Sequence, residues 1–463
     1  MTDAGFAIAA SGLEADRAAM DAIADNLSNV NTPGYASESA TLTTTPSGDM
    51  LGIGAGVTVL GIDQATDAVL SADNLSASAA SASSDALQQV LSTVQSVFPE
   101  PGSNGLSAQL STFWSSWDAI ATNPSQTAPR TEVINQAENL ASTLNQESAQ
   151  LTQTANDAST QVGTTVTAVN TLLGQVAALN QSIVATQAEG AQPNSLIDQR
   201  NSLVSQLGQD IGVTTVSQAD GSLNVYVGGI QLVQGSTADS LSMQTTGSPP
   251  VLSVVSNNTG IALPVSGGTL AGLMAAVNVN IPAYQAQLNT VATNLANTVN
   301  TQLGQGYDAT GNTDVSAGSG VGPDNSAPLF VIGSSSGAAA TISVNQALVS
   351  NPQMLAAATS ANDGANDGSN AQAMAELGTS TTGPDQAYQT FITNLGSQVQ
   401  TVTSQSQAQQ SLSQSLQSSL QSITGVNTDQ QTVDMLGFQQ AYQASAKVIS
   451  TIDTMVQSLL SAV

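Results

Sequence analysis

The sequence predicts a mainly α, elongated, multi-domain protein with paired N- and C-terminal coiled-coil-like helices, a long helical body and a small inserted β meander. Three observations predict it. Apolar residues recur at seven-residue spacing near both ends of the chain. Between about 81 and 210 the period is persistently helical, and it switches to two only within 211–264. Finally, 40% of residues are hydrophobic but only 3% are aromatic, which supplies Ala, Val, Leu and Ile for long packed helices rather than a thick core.

Residues 3–30 form the first element. Phe6, Leu13, Met20 and Leu27 recur every seven positions; Ala9, Ile23 and Val30 follow three later, with Asp16 interrupting that row. The pattern is a narrow coiled-coil seam. It stops at Asn29-Val30-Asn31-Thr32-Pro33-Gly34-Tyr35. Proline pushes Thr32 out of the α region, and Pro33-Gly34 suits the centre of a type II turn. The other end mirrors this. Met435, Tyr442, Ile449 and Val456 recur at seven, as do Phe438, Ile452 and Leu459, with Ser445 weakening the second row. Each end predicts a helix of about 28 residues, roughly 40 Å long. Residues 1–40 and 425–463 are therefore expected to pair as a terminal helical core domain. A two-helix hairpin buries little by itself, so neighbouring subunits are its natural complement.

Between these ends, 41–80 reads as extended or irregular, with apolar residues alternating with glycine along Leu51-Gly52-Ile53-Gly54-Ala55-Gly56. Helical spacing resumes with Leu87, Val90, Leu91, Val94 and Val97 and breaks at Pro99-Glu100-Pro101-Gly102. Leu106, Leu110, Phe113, Trp117 and Ile120 make the next face, ended by Asn123-Pro124. Two longer patterns follow, one from Val133 to Leu151 and one from Val162 to Ile183, and Leu196 to Leu207 close the block. Val213 to Val216, the Asp220-Gly221 turn and the alternation Leu223, Val225, Val227 predict the small β module at 211–264. A helix returns over Leu270 to Val299, with a kink expected at Pro282. Residues 311–384 read as an irregular insert or reduced outer domain, and Phe391 to Ile423 mark a Gln/Ser-rich helix. The helical body is thus assigned to 41–210, 265–310 and 385–424.

Composition narrows the function. Four Lys and Arg against 32 Asp and Glu give a formal charge of −28, and there is neither histidine nor cysteine. Imidazole bases, thiolate nucleophiles and His or Cys metal sites are excluded. Four cations cannot form a phosphate-binding patch, and an anionic membrane would repel the chain. No continuous apolar run is long enough to span a bilayer, and Met1 to Gly12 lacks the pattern of a secretory signal peptide. The expectation is a soluble, non-enzymatic protein without catalytic residues, cofactor, metal, nucleic-acid partner or membrane insertion. Asp308, Asn312 and Asp314 miss the EF-hand spacing and read as a solvated turn. Asp198-Gln199-Arg200 reads as a local ion pair or helix-end bond, with a subunit contact by Arg200 as the alternative; Trp114 and Trp117 read as packing anchors.

These residues carry a resemblance. Asp25 to Tyr35 resembles the N-terminal signature of the bacterial flagellar rod, hook and hook-associated axial proteins, and Asp434 to Lys447 resembles their common C-terminal helix. The middle is similar to the hook-associated protein 1 family at Trp117, Asn123-Pro124, Ala128, Arg130, Val133, Ala137 and Leu140. The same likeness continues through Pro193 to Asn201, Gly221 to Gly229, Gly267 to Leu273 and Gly306-Tyr307-Asp308. That resemblance implies an extracellular structural component at the hook–filament junction, exported through the flagellar type III apparatus without a cleaved signal peptide. It implies a ring of copies of this chain, with hook protein and hook-associated protein 3 as neighbours and an export chaperone before assembly. Assembly contacts are expected from Phe6, Leu13, Met20, Leu27, Asn29, Asn31, Thr32, Pro33, Gly34 and Tyr35, and from Met435, Phe438, Tyr442, Ile449, Ile452, Val456 and Leu459. Two rivals within the class, hook protein and hook-associated protein 3, are disfavoured by the helical stretch 81–210 and the Asn31-to-Tyr35 signature. An acidic hydrolase is a rival outside it, but no spacing singles out a carboxylate pair.

Overall fold

Helix α1 spans Thr2–Asn29 and ends at a turn closed by the Tyr35 N–H donating to the Thr32 carbonyl at 3.2 Å. Gly34 sits there at φ 83°, the left-handed conformation that a type II turn demands at its third position. Residues 2–46, 54–309, 328–333, 337–362 and 364–461 of this computed structural model are described. After the turn come strands β1 (Glu38–Thr44) and β2 (Val57–Gln64), an antiparallel hairpin with a bulge between Thr41 and Leu42. The hairpin lies along α1: the Val57 N–H donates to Ser11 Oγ at 3.1 Å. A Cβ added at Gly56 would come within 2.1 Å of that oxygen. Residues 41–46 and 54–64, expected as irregular chain of the body, thus fold onto the terminal helix; residues 47–53, with Leu51-Gly52-Ile53 among them, lie outside the described residues.

Helix α2 (Ala68–Val97) is capped by Asp67, whose carboxylate accepts from the Val69 and Leu70 N–H groups. It starts well before Leu87, where apolar spacing first announced a helix. Its first half buries Ala77, Ala79, Ser81 and Ser84, residues too small to generate an apolar period. Then come α3 (Leu106–Thr122), α4 (Thr127–Ala188) and α5 (Asn194–Ile211). Helix α4 joins what read as two patterns into one 62-residue helix, about 90 Å long at 1.5 Å per residue. Among the described helices it alone is long and apolar enough to cross a membrane by length and composition. Its stripe Val133, Leu144, Val162, Val169, Leu173, Val176 and Ile183 is, however, buried inside the protein.

The β module is as small as its sequence suggests. Strands β3 (Thr214–Ser217), β4 (Leu223–Val227), β5 (Ile230–Gln234) and β6 (Thr237–Ala238) form one antiparallel sheet. A separate hairpin, β7 (Leu241–Thr246) and β8 (Val251–Ser256), follows it. Helix α6 (Gly268–Ala275) crosses α2 closely, because Gly272 leaves room for the Ser83 carbonyl. A π-helical turn, Ala276–Asn280, then leads into α7 (Ile281–Leu303). The expected break at Pro282 thus appears one turn earlier, where the carbonyls lose the proline N–H as partner.

The insert is less independent than expected. Its short elements are β9 (Phe330–Val331), α8 (Ala338–Thr341), β10 (Ser343–Val344), α9 (Gln346–Ser350) and α10 (Ser369–Glu376). Leu329, Phe330, Ile342, Leu348 and Leu355 are buried in the same continuous core as α2, α3, α4 and α7. Helix α11 (Pro384–Thr424) then returns along α2, and α12 (Thr428–Ser461) returns along α1.

Neutral amides join these elements. Asn26, Asn170, Asn180, Asn278 and Asn300 each grip one residue by both its backbone groups: Glu38, Leu241, Leu223, Leu252 and Phe330 in turn. Each side-chain amide donates to a carbonyl and accepts from the same residue's N–H, extending strand-like pairing onto a helix surface. Among the described residues the one ion pair is the exposed Arg17–Asp21 contact at 3.8 Å, a kind worth a fraction of a kcal/mol.

Candidate assembly surface and its joint

Both chain ends form one antiparallel arm. Asn26 Nδ2 donates to Gln431 Oε1 at 3.1 Å, a Cβ at Gly12 would lie 3.1 Å from Ser445 Oγ, and one at Gly5 would lie 3.3 Å from Ile452 Cδ1. Seven steps up α1 match seven steps down α12, so Ala19 and Ala22 come opposite Phe438 and Met435. Close approach of glycine and alanine explains why the heptad row is not the most buried one on α1. Ala9, Ala15, Ala19, Ala22, Ile23 and Asn26 are buried, Leu13, Met20 and Leu27 only half-buried, and Phe6 is 50% exposed. On α12, Met435, Phe438, Ile449, Ile452 and Val456 are half-buried. Tyr442 and Leu459 are exposed, together with Val433, Leu436, Val448, Met455 and Leu460. No residue of α12 is buried. One flank of the arm is therefore used within the chain, and another apolar flank faces solvent.

The stop signature builds the joint below this arm. Asn29 bonds back to Asp25, and Thr32 Oγ1 donates to Asn29 Oδ1, while Asn31, Thr32 and Pro33 are exposed. Asn26, which sequence spacing did not single out, is the centre: fully buried, it grips Glu38 and accepts from the Tyr35 hydroxyl at 2.9 Å. Its signal was present, a polar residue one step before the heptad position Leu27. The joint rests on α5. Gln64 Nε2 donates to Asp198 Oδ1 at 3.0 Å, Asn194 Nδ2 donates to the Ile62 carbonyl at 2.8 Å, and Gly34 packs beside Ser202. Burial and the neighbouring carboxylates of Glu38 and Asp25 push the Asp198 carboxyl up to about 6.

The other two arginines serve the interior. Arg200 forms no ion pair with Asp198; it is buried and donates to the Gly221 carbonyl at 2.7 Å and to Asn180 Oδ1. That leaves it no subunit contact to make. Arg130, fully buried, donates to the carbonyls of Pro124 and Leu355. Asp308 is buried and raises the Arg130 pKa against the lowering effect of burial, so it does not belong to a solvated turn; Asn312 and Asp314 lie outside the described residues. Trp114 and Trp117 are core anchors, with Trp114 Nε1 donating to Asp385 Oδ2 at 2.8 Å. Among the described residues no group of three His, Cys, Asp or Glu is placed to hold a metal ion.

Known proteins resemble the chain along most of its length. A model described as the flagellar hook-associated protein FlgK helical domain matches residues 91–316. Models of the flagellar basal body rod protein and of the C-terminal part of rod proteins match 6–35 and 416–462. Flagellar hook-associated protein 1 of Escherichia coli K12 is 25% identical, the alignment covering 98% of each chain. The protein of that name from Salmonella typhimurium is 29% identical over 66% of this chain and 57% of its own. The solved flagellar hook junction protein FlgK from Burkholderia pseudomallei shares the fold, with a TM-score of 0.63 and 19% identity, covering 76% of this chain and all of that one.

Proposed function

We propose that the chain is a member of the flagellar hook-associated protein 1 family and acts as a structural component of the bacterial flagellum, at the junction of hook and filament. The observation that carries the reading is the terminal arm. Residues from the two ends of the chain meet there across a sequence separation of 405, and the arm keeps an apolar flank in solvent that a neighbouring copy is suited to cover. In a ring of such copies Phe6, Tyr442 and Leu459 supply intersubunit contacts, while Leu13, Met20, Leu27, Met435, Phe438, Ile449, Ile452 and Val456 hold the arm together. The signature from Asn29 and Asn31 through Tyr35 sets the angle at which the arm leaves the body.

Hook protein on one side, hook-associated protein 3 on the other and an export chaperone before assembly complete this reading. So does passage out of the cell through the flagellar type III apparatus without a cleaved signal peptide. No catalytic step enters it. Deleting the gene should give hooks without filaments by electron microscopy and flagellin lost to the medium; normal filaments would overturn the assignment. In the purified monomer, residues 1–40 and 425–463 should be cut first by protease and be protected once assembled. Equal protection in both states would argue against ordering by neighbours.

A further inference from the structure

The joint between arm and body gathers acidic groups without a cation. Asp25 comes from α1, Tyr35 from the turn, Glu38 from β1 and Asp198 from α5. The Tyr35 hydroxyl lies 3.2 Å from Asp25 Oδ2 and 2.9 Å from Asn26 Oδ1. Asp198 Oδ1 accepts from Gln64 of β2 and Asp198 Oδ2 is buried with no hydrogen-bond partner, while the Ala36 N–H and the Gln64 amide lower the Asp198 pKa against the larger raising effect of burial. The other elements packed around the joint add no positive charge. Strand β2 contributes Asp63, turned to Thr41, and α12 contributes neutral Gln431, with Asp429 and Asp434 two and three residues away along the same helix. Arg200 is directed to Gly221 and Asn180, and Arg17 pairs with Asp21. Lys447 lies sixteen residues along α12 from Gln431, about 24 Å away.

A carboxylate oxygen buried without a donor, beside two further carboxylates, is a place where a proton belongs. We propose that this cluster is a proton-operated joint: a proton on Asp198 seats the terminal arm against the body, and its loss loosens the seat.

The sign follows from linkage. Burial, Glu38 and Asp25 raise Asp198 to about 6, against 3.8 for an ordinary aspartate. The seated state therefore binds the proton more tightly than an unseated one, whose carboxyl titrates at its ordinary value. Seating is favoured in acid and weakens as the pH rises from about 4 through 6, with no further change above. Two pH units correspond to at most about a hundredfold change in the seating equilibrium, and to about tenfold once solvent screening of a half-buried group is allowed for.

The chain has no cysteine, so two substitutions, Ser182→Cys on α4 and Ser450→Cys on α12, give a uniquely spin-labelled full-length protein. Inter-label distance distributions measured from pH 4 to 8 should be narrow in acid and broaden with a midpoint between about 4 and 6, with no further change above. Asp198→Asn keeps the acceptor for Gln64 without a charge and should hold the narrow distribution throughout. Glu38→Gln leaves Asp198 in place and should move the midpoint down, which keeps the test decisive if Asp198→Asn folds poorly. A wild-type distribution independent of pH would overturn the proposal. So would the same transition in Asp198→Asn, or an unmoved midpoint in Glu38→Gln. None of these outcomes depends on the role in the flagellum.

Discussion

Glu147, about a third of the way along α4, carries a pH dependence that a single isosteric change should remove. Its side chain is 4% exposed and its Oε2 has no hydrogen-bond partner. Burial, reinforced by Glu100, pushes its carboxyl up from 4.5 to about 8. The folded state thus holds a proton that the unfolded chain releases near 4.5. Below that value no penalty exists; between 4.5 and 8 stability falls as the pH rises; above 8 the loss is complete. A shift of three to four units corresponds to about 4–5 kcal/mol at most. Substituting Glu147→Gln keeps the shape and removes the charge, and burial of the amide returns about 1–2 kcal/mol of that gain. The variant should therefore be about 2–3 kcal/mol more stable than wild type at pH 8.5 and no more stable at pH 4.5. Denaturant titrations of both proteins at these two pH values read the difference. Identical pH dependence in the two would refute the argument.

Three further outcomes follow from contacts already described. Asn180→Ala strands the Leu223 N–H and carbonyl and the Gly235 carbonyl, which should cost about 3 kcal/mol and speed amide exchange at Leu223; unchanged exchange would count against the clamp. Gly272→Ala puts a Cβ within 2.2 Å of the Ser83 carbonyl, so α2 and α6 must separate at a cost of about 2–3 kcal/mol, seen as a lower midpoint of chemical unfolding. Leu436→Ser with Leu459→Ser alters positions 55% and 61% exposed. The pair should leave monomer stability within about 0.5 kcal/mol yet reduce incorporation into flagella by immunoblot of the sheared fraction.

What sequence could reveal depended on residue size and polarity. Long apolar side chains announced α3, α4, α7 and the arm, because their period follows directly from helical geometry. The first half of α2 escaped, since Ala77, Ala79, Ser81 and Ser84 pack without producing an apolar stripe. Row choice on α1 failed for a related reason: where the partner helix comes close, glycine and alanine are the interface and larger residues move to its flank. The turn at Thr32 to Tyr35 was legible because proline and glycine each dictate their own dihedrals. Arg200 was not. Its partners, the Gly221 carbonyl and Asn180, come from elements whose approach no local pattern encodes. The asparagine clamps share that limit, because an asparagine on a helix carries no mark of the strand it will grip.

Meeting of the two ends has a consequence for the order of events during synthesis. Asn26 is made roughly 400 residues before Gln431, its eventual partner. At about 5–20 residues per second that interval lasts on the order of half a minute, far longer than the microseconds in which an isolated helix forms and melts. Throughout it, α1 has the hairpin to lean on but nothing opposite Gly5, Gly12 or Ala19. The body can complete its core meanwhile, which brings the end of α11 and the base of α1 to fixed positions, the Ser37 N–H donating to the Thr424 carbonyl at 2.7 Å. A closure that would cost about 5 kcal/mol in a free chain of that length then shrinks to folding back one short link, Gly425 to Asn427. The arm is thus the last of the described elements to form and the first able to open, a zipper whose second row of teeth is delivered only after the body has been made.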